Sequence, residues 1–218
     1  MLNFMRTHSL ILLFGILQIF FTAPGQTFLI SLFVEPIFNS LSISLSLFAG
    51  LYSAATLLAS LFLNPAGRVI DRFSVRFALL CSTLSFSVGC LVLAGATNMW
   101  MVFVGFFLLR LFGQGVFGLI GSTVFTKKFE YNRGKALGVM TLGFPFSELI
   151  YPTLALYLLS VFGWRYSFVF FALSTLFFML PFQSWLVSFT KLDLPGFVDE
   201  NQKSEKDERS KRVTHLTR

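Results

Sequence analysis

Two ionisable side chains lie inside long apolar stretches of this sequence, where a charge is costly. Arg110 lies near the middle of the stretch that begins at Met99, and Glu148 lies in the stretch that begins at Ala136. An arginine at the centre of a membrane helix costs about 2.5–3.5 kcal/mol on insertion scales. Arg110 could bind an anionic group or pair with Glu148, and Glu148 could carry a proton. A fixed structural ion pair between the two is the alternative interpretation.

Neutral polar residues extend this set of candidates for a substrate or proton path. Gln114 follows Arg110 by four residues, so a helix places both side chains on one face. Gln18 and Gln26 share a face in the same way, within the first apolar stretch. These glutamines could line a path for a solute. They could equally hydrogen-bond to neighbouring helices, which contributes only ~0.6 kcal/mol per contact on average.

The composition indicates that the elements carrying these residues cross a lipid bilayer. Of the 218 residues, 55% are hydrophobic and only 12% are charged, about half the usual share for a soluble domain. A soluble domain of this length needs more polar surface to cover its core. A transmembrane helix needs ~20 apolar residues. The sequence predicts six such helices, at residues 9–34, 44–63, 77–96, 99–125, 136–162 and 166–189.

The positions of the basic residues predict the orientation of these helices. All 17 Lys and Arg residues except Arg110 and Arg165 lie at the chain ends or in the connections after the second and fourth stretches. The positive-inside rule places that side in the cytoplasm, and we expect the plasma (inner) membrane. The sequence thus predicts a cytoplasmic N-terminus (1–8), a six-helix bundle (9–190) and a charged tail (191–218) that is disordered in isolation. The net charge of +7 reflects this bias, so we expect no nucleic-acid partner.

No group of residues predicts an enzyme, a metal site or a cofactor. The two histidines lie near the chain ends, and Cys81 and Cys90 are nine residues apart, on opposite faces of a helix. The sequence has no glycine-rich phosphate loop with Lys and Ser/Thr at the required spacing. No apolar stretch contains a histidine that could activate a serine, so the sequence predicts no catalytic residue.

A short charged segment separates the second and third apolar stretches, and it reads GRVIDRFSVR (67–76). Gly67 would let the end of the second helix approach a neighbour closely. Asp71 could accept hydrogen bonds from arginines or cap the next helix, and Arg72 and Arg76 would hold the segment at the cytoplasmic surface. Such a charged latch could form in one conformational state and open in another. The alternative is a plain turn that only sets the orientation.

This segment resembles the loop between helices two and three of the major facilitator superfamily, whose pattern is roughly G-x-x-x-D-R-x-G-R-R. The sequence departs from the pattern at Ser74, where the family prefers Gly, and at Val75, where it often has Arg. Three later segments resemble helix four, the start of helix five and the junction before helix six of that family, in this order: RLFGQGVFGLIGS (110–122), NRGKALGVMTLGFPFSELIYP (132–152) and FGWRYSF (162–168).

The resemblance covers residues 9–190 and implies an all-α integral membrane protein equivalent to the N-terminal six-helix half of that fold. It implies a secondary transporter of a small solute that works by alternating access, with protons as a candidate coupling ion. Arginines of this type on helix four of the family often lie near proton coupling, and helix one lies beside the central cavity. The family normally has twelve helices, so a second six-helix half or a second copy is the expected partner. The alternatives are a truncated, non-transporting fragment and a membrane assembly or regulatory subunit.

Overall fold

The structure is a computed structural model that describes residues 6–129 and 131–190, with the backbone alone at positions 69, 71 and 72. Over these residues the chain is helical and contains no strand. We number the α-helices in chain order: α1 (Ser9–Phe20), α2 (Thr27–Leu41), α3 (Leu45–Arg72), α4 (Val75–Ala94), α5 (Met99–Leu108), α6 (Phe117–Lys128), α7 (Arg133–Met140), α8 (Gly143–Ser174) and α9 (Leu180–Phe189).

Three short irregular segments join consecutive helices into longer runs. A 3₁₀ turn at Ala23–Gly25 lies between α1 and α2. One π-helix, Leu109–Val116, connects α5 to α6, and a second, Thr175–Met179, connects α8 to α9. Segments of π-helix are rare and frequently occur at functional sites.

Five runs in the described part of the chain are long and apolar enough to cross a membrane. The first to fourth spans, as we call them, are Ser9–Leu41, Leu45–Arg68, Val75–Ala94 and Met99–Lys128. The fifth run is longer and covers Arg133–Phe189.

The fifth run is too long to be a single crossing. Its 57 residues would extend about 85 Å as one helix, against a hydrocarbon core of about 30 Å. Gly163 interrupts it with φ 76° and ψ 172°, a conformation that belongs to no helix. The parts on either side pack on different neighbours, because Gly143 lies against α1 while the Ala172 carbonyl accepts a hydrogen bond from Ser87 of α4. The break lies between the fifth and sixth predicted helices, and the number of six crossings itself stays a prediction.

The charged segment that the sequence predicted as a loop is mostly helical. The helix α3 continues to Arg72, nine residues beyond the predicted end at Leu63, because a helix does not need an apolar face once it leaves the hydrocarbon. The helical path is interrupted only briefly before α4 begins at Val75. Ser74 caps α4, since its side-chain oxygen accepts a hydrogen bond from the backbone N–H of Phe77 at 3.2 Å.

Aromatic side chains fill the interior of the bundle. Lipid is as apolar as the protein interior, so helices in a membrane associate by close packing. The rings of Phe33 and Phe168, for example, have centroids 4.9 Å apart and join α2 to α8. The phenylalanines that are almost completely buried are Phe14, Phe33, Phe86, Phe106, Phe117, Phe125, Phe168 and Phe171.

The helix α3 lies at the edge of this bundle. Only 17% of its most apolar window is buried, compared with at least half of that window in the first, third and fourth spans. It packs on α5 and on the π-helix of the fourth span, whereas α8 packs on α4 and on α1, α2 and the 3₁₀ turn of the first span. On one side of the bundle the contacts thus run from α3 to the fourth span, then to the first span and to α8.

Candidate functional site at Arg110

Arg110 lies in the π-helix Leu109–Val116, in the middle of the fourth span. Its side chain is 7% exposed, so the guanidinium is held inside the bundle. The glycines that follow it in sequence permit close approach of other backbones, and Gly113 contacts the 3₁₀ turn of the first span. The sequence predicted an intramembrane arginine at this depth, and the structure shows which groups surround it.

Neutral groups from two other spans surround the guanidinium. Nε donates a hydrogen bond to Thr56 Oγ1 at 3.1 Å, and Nη1 donates to the Gly25 carbonyl and to Thr27 Oγ1, both at 3.2 Å. The guanidinium carbon also lies 5.1 Å from the centre of the Tyr52 ring, within the range of a cation–π contact. We call these five residues the Arg110 junction. It connects the first, second and fourth spans.

The Gly25 carbonyl is free to accept from Arg110 because the first span is broken there. The helix α1 ends at Phe20, and α2 begins only at Thr27. The Leu29 N–H donates to the carbonyl of Gln26, not to that of Gly25, so Gly25 lies outside the helical ladder. A backbone carbonyl without a partner is costly in the membrane, and Arg110 supplies the missing donor.

The junction also depends on direct backbone contact between the 3₁₀ turn and the π-helix. A Cβ atom added at Gly25 would collide with the Leu109 carbonyl oxygen and would lie 3.0 Å from the Gly113 Cα. A Cβ added at Gly113 would lie 2.6 Å from a ring carbon of Phe86. Glycine at both positions therefore allows the two irregular segments to touch.

The guanidinium retains unused hydrogen-bonding capacity. It has five N–H donors, and the contacts of the junction use those on Nε and Nη1. Nη2 makes no hydrogen bond to the described residues, and it is not one of the buried, unpaired side-chain atoms. Nη2 therefore keeps some accessible area, and none of the described residues accepts a hydrogen bond from its two N–H groups.

Exposed polar residues lie beside the guanidinium. Thr27 is exposed and Tyr52 is half-buried, and their hydroxyl oxygens are 3.0 Å apart. Gln114 is also exposed, and its backbone nitrogen would be 3.3 Å from a Cβ atom on Gly25. The structure thus places Gln114 at the edge of the junction, on the same helix as Arg110.

Glu148 does not pair with Arg110 in this structure. It is exposed on α8, and the described residues show no ion pair for either group. The fixed ion pair considered from the sequence is therefore not formed here. The reason is geometric: Arg110 extends towards the broken first span and the second span, whereas Glu148 is on the outer face of α8.

The two glutamines predicted to line a path from the first span are both buried. Gln18 is completely buried, and neither atom of its amide has a partner among the described residues. Gln26 is buried as well, and its amide nitrogen donates to Thr22 Oγ1 at 3.1 Å. The 3₁₀ turn lies between Gln18 and Gln26, so the regular helical spacing from which the stripe was predicted does not hold.

Sequence reasoning missed three members of the junction, namely Thr27, Tyr52 and Thr56. Their signal in the sequence is weak, because hydroxyl groups occur throughout these spans and most donate to carbonyls of their own helix. It also missed Gln183 of α9, which is buried with both amide atoms unpaired among the described residues. A glutamine in an otherwise apolar stretch was the signal that could have identified it.

Two residues of the predicted latch make contacts between spans. A Cβ atom on Gly67 would lie 3.2 Å from Leu119 Cδ2 of α6, so α3 closely approaches the fourth span there. Arg76 Nη2 donates a hydrogen bond to Ser188 Oγ of α9. The side chains of Asp71 and Arg72 lie outside the described part of the structure. The opening and closing of a latch stays a prediction.

Comparison with known proteins identifies a family for this arrangement. A model of the Major Facilitator Superfamily matches residues 15–217, which include the four spans almost entirely and the whole of the long fifth run. A search of curated proteins found no significant match. The described residues contain no group of three or more His, Cys, Asp or Glu side chains that could hold a metal ion.

Proposed function

The chain belongs to the major facilitator superfamily and is a multi-pass membrane transporter, and we propose that it carries a small solute by alternating access. The observation that supports this proposal best is the Arg110 junction. A buried cation at mid-span is expensive in lipid and marks a substrate or ion pathway in membrane proteins. Here it lies where a broken helix meets a π-helix, and discontinuous helices are typical of transporter binding sites.

In the proposed arrangement the protein lies in the plasma (inner) membrane. It crosses this membrane with six helices, and both termini are in the cytoplasm. The break at Gly163 supports two crossings within the fifth run. Lys127 and Lys128 lie at the end of the fourth span and Arg133 begins the fifth run, one proposed crossing away from Gly163, which agrees with the positive-inside rule. Trp164 lies next to Gly163, and its ring is 4.3 Å from the Arg165 guanidinium, a pairing suited to a membrane interface.

We further propose that a second six-helix half, or a second copy of this chain, covers the side of the bundle between α3 and α8. The first and fourth spans, with the Arg110 junction, lie between these two helices. Exposed small residues on α3, among them Gly50, Ser53 and Ala54, permit close helix packing. An exposed Glu148 would be costly against hydrocarbon, which favours a protein or water-filled surface at that position.

Proton coupling is part of the same proposal, with Glu148 as the proton carrier. It is an exposed acid on α8, a helix that borders the side we propose the second half covers. A carboxyl group in that position can exchange protons with a water-filled cavity between the two halves. Gln18 and Gln26, both buried in the first span, are proposed to line the path only in a conformation in which the first span has rearranged.

The test is transport by the complete protein in proteoliposomes, with its partner half present. A panel of small solutes is offered with and without an inward proton gradient, and uptake is measured. We expect Glu148→Gln to abolish accumulation driven by the gradient while exchange of solute without a gradient continues. Leu149→Gln, at a neighbouring position that is also exposed, is the matched control and should leave coupling unchanged.

Two alternatives remain: a non-transporting fragment and an assembly or regulatory subunit of a membrane complex. Native mass spectrometry from lipid nanodiscs separates them from the carrier. A defined complex of two six-helix units supports the carrier. A monomer that aggregates supports the fragment, and a stable complex with a protein that has no six-helix half supports the subunit.

A further inference from the structure

We propose that Arg110 binds the carboxylate of the transported solute, so that the solute is a small organic acid carrying one negative charge. This inference rests on the proposed carrier function and specifies its substrate class. The position concerned is the free Nη2 of Arg110, next to the hydroxyl groups of Thr27 and Tyr52 at the surface of the junction.

The first argument is the balance of charge. Thr56, Gly25 and Thr27 accept hydrogen bonds from the guanidinium, but all three acceptors are neutral. The described residues provide no carboxylate for Arg110, since Glu148 is exposed on α8 and makes no ion pair there. A buried charge is stable when it is both hydrogen-bonded and paired with an opposite charge. The junction fulfils the first condition and leaves the second to a group from outside the described chain.

The second argument is the set of unused donors. Nη2 keeps two N–H groups that no described residue accepts, and it is not among the fully enclosed atoms of the bundle. Thr27 Oγ1 and the Tyr52 hydroxyl lie 3.0 Å apart, and their mutual hydrogen bond uses one of the two hydroxyl hydrogens. The other hydrogen remains for a ligand. A carboxylate can accept from Nη2 with one oxygen and from this hydroxyl pair with the other, which uses the charge-assisted geometry that arginine favours.

The third argument concerns the number of charges on the ligand. The junction offers one positive charge, and its other groups are neutral. A carboxylate monoanion neutralises this charge, whereas a phosphate dianion would leave a second negative charge in a low-dielectric site. The exposed amide of Gln114 at the edge of the junction can bind a neutral polar part of the same molecule. These features favour an organic monoanion over an inorganic dianion.

Ligand-induced stabilisation of the complete protein in lipid nanodiscs tests the inference without requiring transport. The probes are acetate, lactate and benzoate, each compared with its neutral amide, and inorganic phosphate. We expect at least one acid to raise Tm by about 3 °C at roughly tenfold excess over its Kd, because a bound ligand stabilises the folded state. The matching amide and phosphate should give no comparable shift. If no acid stabilises the protein more than its amide does, the inference is wrong.

Variants then locate the binding group. Arg110→Gln should abolish the shift, and Arg165→Gln should preserve it, because Arg165 lies next to the break at Gly163 and donates to the Ala94 carbonyl. A shift that persists in Arg110→Gln would place the anion elsewhere and overturn the proposal. Should Arg110→Gln fail to fold, Thr27→Val keeps two of the three hydrogen bonds of Arg110. We expect it to weaken binding of the acid at least about tenfold; unchanged affinity would contradict the assigned position.

Uptake by proteoliposomes distinguishes failure of this inference from failure of the carrier function. If acids bind through Arg110 but the complete protein moves no solute, the site stands and the carrier function is wrong. If a neutral solute is transported and no acid binds or competes, the carrier function stands and the inference is wrong. Transport of a neutral solute without binding of an acid is also the result expected if an acidic side chain of the second half neutralises Arg110 permanently.

Discussion

At the scale of single residues, Arg110 combines two physical roles that the sequence alone kept apart. It satisfies the Gly25 carbonyl, which the break in the first span leaves without a helical partner. It also holds a positive charge at mid-span with only neutral acceptors around it. A purely structural arginine needs no free donor, so the unpaired Nη2 is the feature that points to a ligand.

The contact between Gly25 and the π-helix gives a residue-scale prediction. Gly25→Ala should destabilise the protein by about 1–3 kcal/mol, because the added methyl group would meet the Leu109 carbonyl oxygen and overpack the junction. Thermal unfolding in detergent measures the change. Gly138→Ala is the control, since a Cβ atom there meets no other group within 4 Å. Equal stability of the two variants would show that the backbones are not in contact.

The cap of α4 gives a second prediction at this scale. Ser74→Ala should cost about 1 kcal/mol of stability, because it leaves the Phe77 N–H without its acceptor. Ser74→Gly, which introduces the residue preferred by the family, should cost only a few tenths of a kcal/mol. The two variants are compared by thermal unfolding under identical detergent conditions. A larger loss for glycine than for alanine would argue against the capping role of Ser74.

At the scale of elements, irregular segments rather than regular helices create the candidate site. The 3₁₀ turn Ala23–Gly25 frees a carbonyl, and the π-helix Leu109–Val116 presents Arg110 to it. Gly25 in the first segment and Gly113 in the second let their backbones meet. The regular helices of the third and fourth spans pack around these segments with buried phenylalanines such as Phe86, Phe106 and Phe117.

The break in α8 gives an element-scale prediction. Gly163 has φ 76° and ψ 172°, in a region that is accessible essentially only to glycine. Gly163→Ala should therefore destabilise the protein by about 1–3 kcal/mol or shift the bend to another residue. Gly134→Ala, in the exposed part of the helix α7, should be neutral or stabilising by up to about 1 kcal/mol. Both are measured as changes in Tm and in the yield of folded protein; an unaffected Gly163→Ala variant would contradict the strained conformation.

At the scale of the whole molecule, the proposed mechanism depends on the side between α3 and α8. The junction, the exposed Glu148 and the small residues of α3 all lie on elements that border this side. A transporter needs a solute site that opens alternately to the two sides of the membrane. A bundle that provides part of such a site, with a second bundle opposite, meets this requirement.

The predicted orientation of the whole molecule is tested by cysteine labelling. In a background without Cys81 and Cys90, Thr97→Cys and Tyr166→Cys should react with a membrane-impermeant maleimide added to intact cells. Asn132→Cys should react only after permeabilisation, because the positive-inside rule places it in the cytoplasm. External labelling at Thr97 with none at Tyr166 would mean that Gly163 does not separate two crossings.

The sequence by itself determined the class of the protein and much of its helical organisation. Apolar stretches of about 20 residues and few charges are sufficient to indicate membrane helices, because the bilayer requires them irrespective of tertiary contacts. The resemblance of residues 67–76 and of three later segments pointed to the family that the match over residues 15–217 then showed. Arg110 was identified for the same reason, since a charge inside an apolar stretch is visible without a structure.

Only the tertiary structure decided which groups surround Arg110. The break in the first span invalidated the regular spacing that related Gln18 to Gln26, and the direction of the Arg110 side chain separated it from Glu148. Thr27 and Thr56 became partners of Arg110 although they are far from it in sequence. Hydrogen bonds between spans depend on the meeting of backbones at glycines such as Gly25 and Gly113, and helical periodicity within one stretch carries no information about that contact.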